Sequence, residues 1–373
     1  MSVLLSDIRY YGSANMPEAD GSTTGGAIDF TKRVEFADNI AGADTYDVVS
    51  SSASDTATKC QIMFRDSSGV VQTPAAVTLN GQTKVSLSAT QGERLLAGVI
   101  SGGAIAGLSN PGGTTAVGDV AVMKHTVTIS AHTMQAGSAN ATSSAPAIAK
   151  LQAGDGATVA VGMILRTTGG TGPNQIRRIL AINPGSLGAD VVAVDRNWGT
   201  VPDATTTYEV APGFHFELTG SNGGVALTGT STQVLAIART FSTAAAQASG
   251  GSQLTFYEKV FVNNNNQSTA LTGAQIEVLS ESPSLPSGAL LDLGLATGLN
   301  DTATIANRQT APGGISFTTQ PALVNVPSPG NLPASTGAGN AAGAMGAWLR
   351  LTLPAGTAAY KGSAVPRTQG TTV

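Results

Sequence analysis

Charge is what this sequence has least of. Asp, Glu, Lys and Arg make up 11% of its 373 residues, against roughly 25% in an ordinary soluble domain. Disorder combines high charge with scarce apolar residues, and here the apolar share is 41%, so the chain is expected to fold. The 19 Lys and Arg are scattered among 23 Asp and Glu for a net charge of -4. That balance supplies no positive field for phosphate backbones, so no nucleic-acid partner is expected. Cys60 is the sole cysteine, which excludes an intramolecular disulfide framework and fits synthesis in a reducing cytoplasm. Long apolar runs are missing too. Nothing reaches the ~18 residues of a membrane span, and Val3-Leu4-Leu5, followed at once by Ser6 and Asp7, is too short for a secretory signal. The expected protein is soluble as made, with no membrane partner.

Catalytic and cofactor signatures are absent in the same way. The stretch TTGGTGPNQIRRI, residues 167–179, has the glycines of a phosphate-binding loop. Such a loop needs a lysine after its last glycine, and the chain contains no Gly-Lys pair. A dinucleotide fingerprint needs a third glycine where Gln175 stands, and a helix to follow; residues 176–182 read instead as a strand. The stretch therefore reads as a glycine-rich hairpin turn. Arg177 and Arg178 project to opposite faces of that strand, so at most one joins a barrel interior and the other is a solvated or inter-subunit charge. No serine lies in a nucleophile elbow. His125 and His132 would fall on opposite faces of a shared strand, and His215 with Glu217 makes only two candidate metal ligands, short of a site. Carboxylate pairs for glycoside hydrolysis meet only in space, but aromatics at 5% leave little to build a sugar-stacking cleft. No catalytic, cofactor or metal residues are assigned. Trp198 and Trp348 remain: Trp348 is expected to pack, or to cover a sheet rim beside Arg350, while Trp198, followed by Gly199, either packs or stands exposed at a strand end.

What is present is β patterning. Cys60, Ile62 and Phe64 alternate with polar neighbours, the period-two signature of a half-buried strand, and Asp66 to Gly69 follows as a turn. Asn80-Gly81 is a hairpin signal; pairing Val77 with Val85 requires a three-residue loop with Gly81 or Gln82 near the left-handed region. QGERLLAGVI predicts a short amphipathic helix through Leu95, Leu96, Val99 and Ile100, stopped by Gly102 and Gly103. HTVTIS reads as a strand with Val127 and Ile129 on one face. Residues 136–147 are small and uncharged, a linker or long loop. Strands separated by Gly, Pro and Asn then run to the C-terminus, with Leu349, Leu351 and Leu353 alternating in the last of the long ones. ALLDLGLATGLN reads as a short helix or a strand. NNNN at 263–266 reads as a turn whose amides satisfy nearby backbone groups.

The expected fold is mainly β and multidomain: a β-sandwich N-terminal domain with one short helix over 1–135, a small β-barrel-like domain over 146–212, and an immunoglobulin-like β-sandwich over 213–373. No fixed-period repeat is present, so a solenoid is not expected.

GTGPNQIRRI, followed by VVAVDRNWGTVPDATTTYEV, resembles a module of tailed-bacteriophage structural proteins. FRDSSGVVQTPAAVTLNGQTKV and the run from Pro329 through AWLRLTLPAGTAAYKG are similar to virion proteins as well. The resemblance implies a noncatalytic virion component, a head decoration or a neck or tail accessory protein, made in the host bacterial cytoplasm and assembling as a homo-oligomer with other virion proteins. Arg177, Arg178 and Trp198 are its candidate interaction residues. A receptor- or glycan-binding fibre or adhesin module is the alternative.

Overall fold

A computed structural model describes residues 3, 7–16, 21–35, 43–142, 145–216, 233–241, 244–266, 268–282, 284–334, 343–358 and 363–372. The chain is mainly β with several sheets, and among the described residues helix takes the form of short 3-10 turns such as Asp155–Ala157 and Pro184–Ser186. It divides into two compact units, the first formed by Met1–Val3, Asp7–Asp38 and Ile237–Val373, the second by Leu4–Ser6 and Asn39–Ala236.

In the first unit, one sheet runs in the order Thr318–Thr319, Leu290–Leu299, Met345–Leu353, Leu254–Asn264, Ile8–Asn15, Thr24–Glu35, each pair antiparallel. A second sheet sets Thr272–Ser282 between Val324–Asn325 and Ser363–Thr371. Strand periodicity sends Val260 and Val262 to one face of the central strand. There they share a core with Leu293, Leu295, Ala347 and Leu349 of the same sheet and Ala274, Ile276 and Val278 of the other. Burial of each valine, leucine or isoleucine among them stabilises the unit by about 1.5–3 kcal/mol. Residues 290–299 are a strand, and the three leucines of 349–353 lie in the strand Met345–Leu353.

In the second unit, Lys59–Arg65 buries Cys60, Ile62 and Phe64 and exposes the residues between them more, as the alternation requires. The helix expected over 91–100 does not form. Arg94–Ile100 is a strand antiparallel to Lys59–Arg65, with Cys60 opposite Ile100 and Phe64 opposite Leu95. A register shift at Met63/Phe64 sets the half-buried Leu96 beside the buried Leu95, and Val99 and Ile100 are both buried, so the apolar spacing matches that of a helix face. Gly98 has a positional reason as well, since a Cβ there would collide with the rings of Phe214 and Phe216.

Asn80-Gly81 does make a turn, with Thr83 N–H donating to Asn80 O at 3.0 Å and Gly81 at φ 54°. The expected Val77–Val85 register is not formed. Val77–Thr78 pairs with Lys59 and Cys60, and Val85–Ser86 pairs with Asp47 and Val48. Each flank finds the edge of a longer strand, and the turn becomes a corner between sheets. The sheet reached by the second flank runs Gly213–Phe216, Val120–Lys124, Tyr46–Ser50, Val85–Ser86.

Six further strands pair in the order Ile129–Thr133, Thr207–Ala211, Ile164–Gly169, Ile176–Ile182, Val191–Val194, Ile148–Lys150. Val127 precedes the first of these rather than belonging to it. The circuit closes through the residues that follow Thr133: Gln135 N–H donates to Lys150 O at 2.8 Å and Ala139 bridges Ile148. Leu165, Ile179, Val192, Val194, Trp198, Tyr208 and Val210 form one core.

Candidate functional site

The strand Ile176–Ile182 alternates as expected at its arginines: Arg177 is buried and Arg178 is partly exposed. Arg177 donates from Nη1 to Ile176 O at 2.6 Å, and from Nη2 to Asn197 O at 2.6 Å and Gln175 Oε1 at 3.3 Å. Its guanidinium lies against the indole of Trp198. Trp198 is 2% exposed and donates from Nε1 to Ile148 O at 3.0 Å. Arg177 and Trp198, expected as contacts to neighbouring molecules, are therefore internal. An aromatic beside a glycine at a strand end has become a lid on a buried cation, whose desolvation needs such a partner. Of the three candidates, Arg178 alone keeps solvent exposure.

Around Arg177 lies a cluster that sequence reasoning missed. Arg196 pairs with Asp119, whose Oδ2 is 3.8 Å from Arg177 Nη1. The Asp195 carboxylate accepts the Arg178 backbone N–H at 2.9 Å through Oδ1 and faces His215 Nε2 at 3.0 Å through Oδ2. Asp119, Arg177, Asp195, Arg196 and His215 are all buried. Burial pushes Arg177 down to about 10, helped by Arg196 and opposed by Asp119 and Asp195, so it stays charged at neutral pH. Two arginines and two aspartates balance, which is the condition under which buried charge is tolerated. A buried cluster of opposite charges of this kind ties together the strand ends that carry it. The one signal was Asp195-Arg196, a charged pair directly after the apolar strand Val191–Val194.

The other two histidines each meet an aspartate. His125 Nδ1 lies 2.9 Å from Asp47 Oδ2, and His132 Nδ1 lies 2.8 Å from Asp155 Oδ2, which also accepts the Tyr208 hydroxyl. The imidazoles are exposed and the carboxylates buried. Base and orienting acid are thus present, but nucleophilic catalysis also needs a hydroxyl or thiol on the imidazole; among the described residues none is hydrogen-bonded to either ring. Among those residues there is also no group of three His, Cys, Asp or Glu placed to hold a metal. Glu217, expected beside His215, lies outside the described residues.

The glycine-rich stretch meets the PDATTTY stretch. Gly170, at φ 70°, passes so close to Thr205 O that any Cβ would overlap it. Thr206 donates to Thr171 O at 2.7 Å, Thr171 donates to Asp203 Oδ2 at 2.8 Å, and Thr168 and Thr207 share a hydrogen bond at 2.9 Å. The result is a largely exposed rim of Thr168, Asp203, Thr205 and their neighbours, carrying one carboxylate. It has no helix N-terminus for phosphate.

Compared with known proteins, the chain matches no family model, no curated protein and no solved structure.

Proposed function

We propose that this chain is a noncatalytic structural component of a tailed-phage virion, assembling on the particle exterior as a head decoration or a neck or tail accessory protein. The observation that carries the reading is the division of labour in the second unit. The buried charges of the Asp119, Arg177, Asp195, Arg196 and His215 cluster face one another inside, while the glycine-threonine rim outside presents hydroxyls and backbone. Such a surface buries against a neighbour without stripping water from many charges. Modest contacts then suffice if each subunit touches several neighbours, because the second contact is effectively intramolecular. The closed strand circuit is read as a small barrel, and the two sheets of the first unit as a sandwich of immunoglobulin-like type. The resemblance of residues 170–179 and 191–210 to phage structural proteins supports the same assignment. The alternative, a receptor- or glycan-binding module, rests on sandwich loops that could present a ligand site; the buried ring of Trp198 is not available for such a contact.

Quantitative mass spectrometry of gradient-purified particles tests the reading. A fixed copy number per virion is expected, hundreds for a head decoration or tail tube and six or twelve for a neck or tail tip. Recovery of the chain solely as free monomer in the lysate, with none in particles, overturns it.

A further inference from the structure

In the first unit, Lys259 lies in the middle of the strand Leu254–Asn264 and is 0% exposed. Its Nζ is 2.6 Å from Asp301 Oδ2, and it donates to the carbonyl oxygens of Asp301 at 2.8 Å, Gly26 at 3.0 Å and Ala303 at 3.2 Å. The rings of Phe261 and Trp348 stand 4.9 and 5.5 Å away. Glu258, on the opposite face, is engaged with Arg308. The enclosure is built by omission: a Cβ at Gly346 would press on Lys259 Cε, and one at Gly25 would strike Ala303 O and the Trp348 ring. The other carboxylate oxygen, Asp301 Oδ1, accepts the Ala303 N–H at 3.0 Å.

From this geometry we infer that Lys259 and Asp301 are the two halves of an intramolecular isopeptide cross-link. The nucleophile, the acyl carbon and a donor to the developing oxyanion are already in place, which is where most of the barrier to a condensation between two weakly reactive groups resides. Burial lowers the lysine against the opposing pull of Asp301, because desolvation penalises the charged amine. A proton passes from Nζ to Oδ2 across their contact, leaving an amine and a carboxylic acid. The Nζ lone pair attacks Cγ, and charge gathers on Oδ1 against the Ala303 N–H. The Cγ–Oδ2 bond then breaks, and its hydroxyl departs with a second nitrogen proton as water. One N–C bond forms, one C–O bond breaks, one water is released, and nothing is oxidised or reduced. Asp301 is partly exposed, so the water has an exit. The remaining amide N–H keeps one backbone acceptor, and Ala303 O is already bonded to Gly26 N–H. The product staples the segment after Leu290–Leu299 to the central strand of the sheet.

Intact-mass measurement of the full chain under denaturing conditions tests this. The folded protein is expected to weigh one water less than its sequence, and digestion is expected to yield one branched peptide joining the Lys259 and Asp301 fragments. Asp301→Ala is expected to restore the full sequence mass of the variant. The full sequence mass in folded wild-type chain overturns the assignment whether or not the variant folds. So does a lost water confined to the Asp301 peptide alone, as in a cyclic imide.

Discussion

The guanidinium carbon of Arg177 lies 4.9 Å from the centroid of the Trp198 ring, and the two side chains seal each other from water inside the second unit. Trp198→Ala removes a core side chain and uncovers a buried cation, so it is expected to cost about 3–5 kcal/mol. Urea denaturation, followed by a probe in that unit, checks this; a loss below about 1 kcal/mol would mean that the ring only decorates the surface.

Asp119 is the carboxylate shared by Arg196 and Arg177. Asp119→Asn keeps the volume and deletes the counter-charge, and breaking a buried pair from one side costs about 3–5 kcal/mol. The expected result is a lower denaturation midpoint. Asp119→Asn combined with Arg196→Met should recover part of the loss, and additive losses in the double variant would contradict the pairing.

The Asp203 carboxylate is held below its ordinary value by the Thr205 hydroxyl first, then the Thr205 N–H and the Thr171 hydroxyl. A depressed folded-state value means that its contribution to stability is present above the unfolded value, near pH ~3.9, and fades as pH falls through the folded one. An NMR titration should show the Thr205 amide responding at a pH below that of a free aspartate. Asp203→Asn should abolish that response, and a midpoint at or above the ordinary value would refute the capping role.

Gly170→Ala places a Cβ on a residue at positive φ and against Thr205 O. The φ penalty alone is about 1–2 kcal/mol, and the overlap must add to it by parting the two stretches. Thermal unfolding is the measurement, with Gly185→Ala as the reference: that glycine also has positive φ but open space around it. Equal losses at the two sites would show that the close approach carries no weight.

Cys60 is buried on the core face of Lys59–Arg65, and burial pushes its thiol well up. Since the thiolate is the reactive species, a thiol reagent at neutral pH is expected to label the folded chain only as fast as the unit opens. Rapid stoichiometric labelling without denaturant would count against the burial.

By itself the sequence determined the strands. Cys60, Ile62 and Phe64 bury together because successive side chains point to opposite faces. Residues 176–182 are a strand after a turn; of 263–266, Asn263 and Asn264 end the strand Leu254–Asn264, paired with Arg9 and Ile8, rather than forming a turn, while Asn266 Oδ1 accepts the Ser268 and Thr269 N–H as expected of a local backbone cap. The 91–100 segment carries helical spacing although it is a strand, because Val99 and Ile100 are both buried and a bulge sets Leu96 beside Leu95. Tertiary structure decided everything that rests on long separations. It carried Ile8–Asn15 to Leu254–Asn264, sent the two flanks of Asn80-Gly81 to different sheets, and brought Asp119 to Arg196 and Asp301 to Lys259. Local propensity and alternation act over a few residues, whereas a buried charge takes its partner from whichever strand the closing sheet places against it.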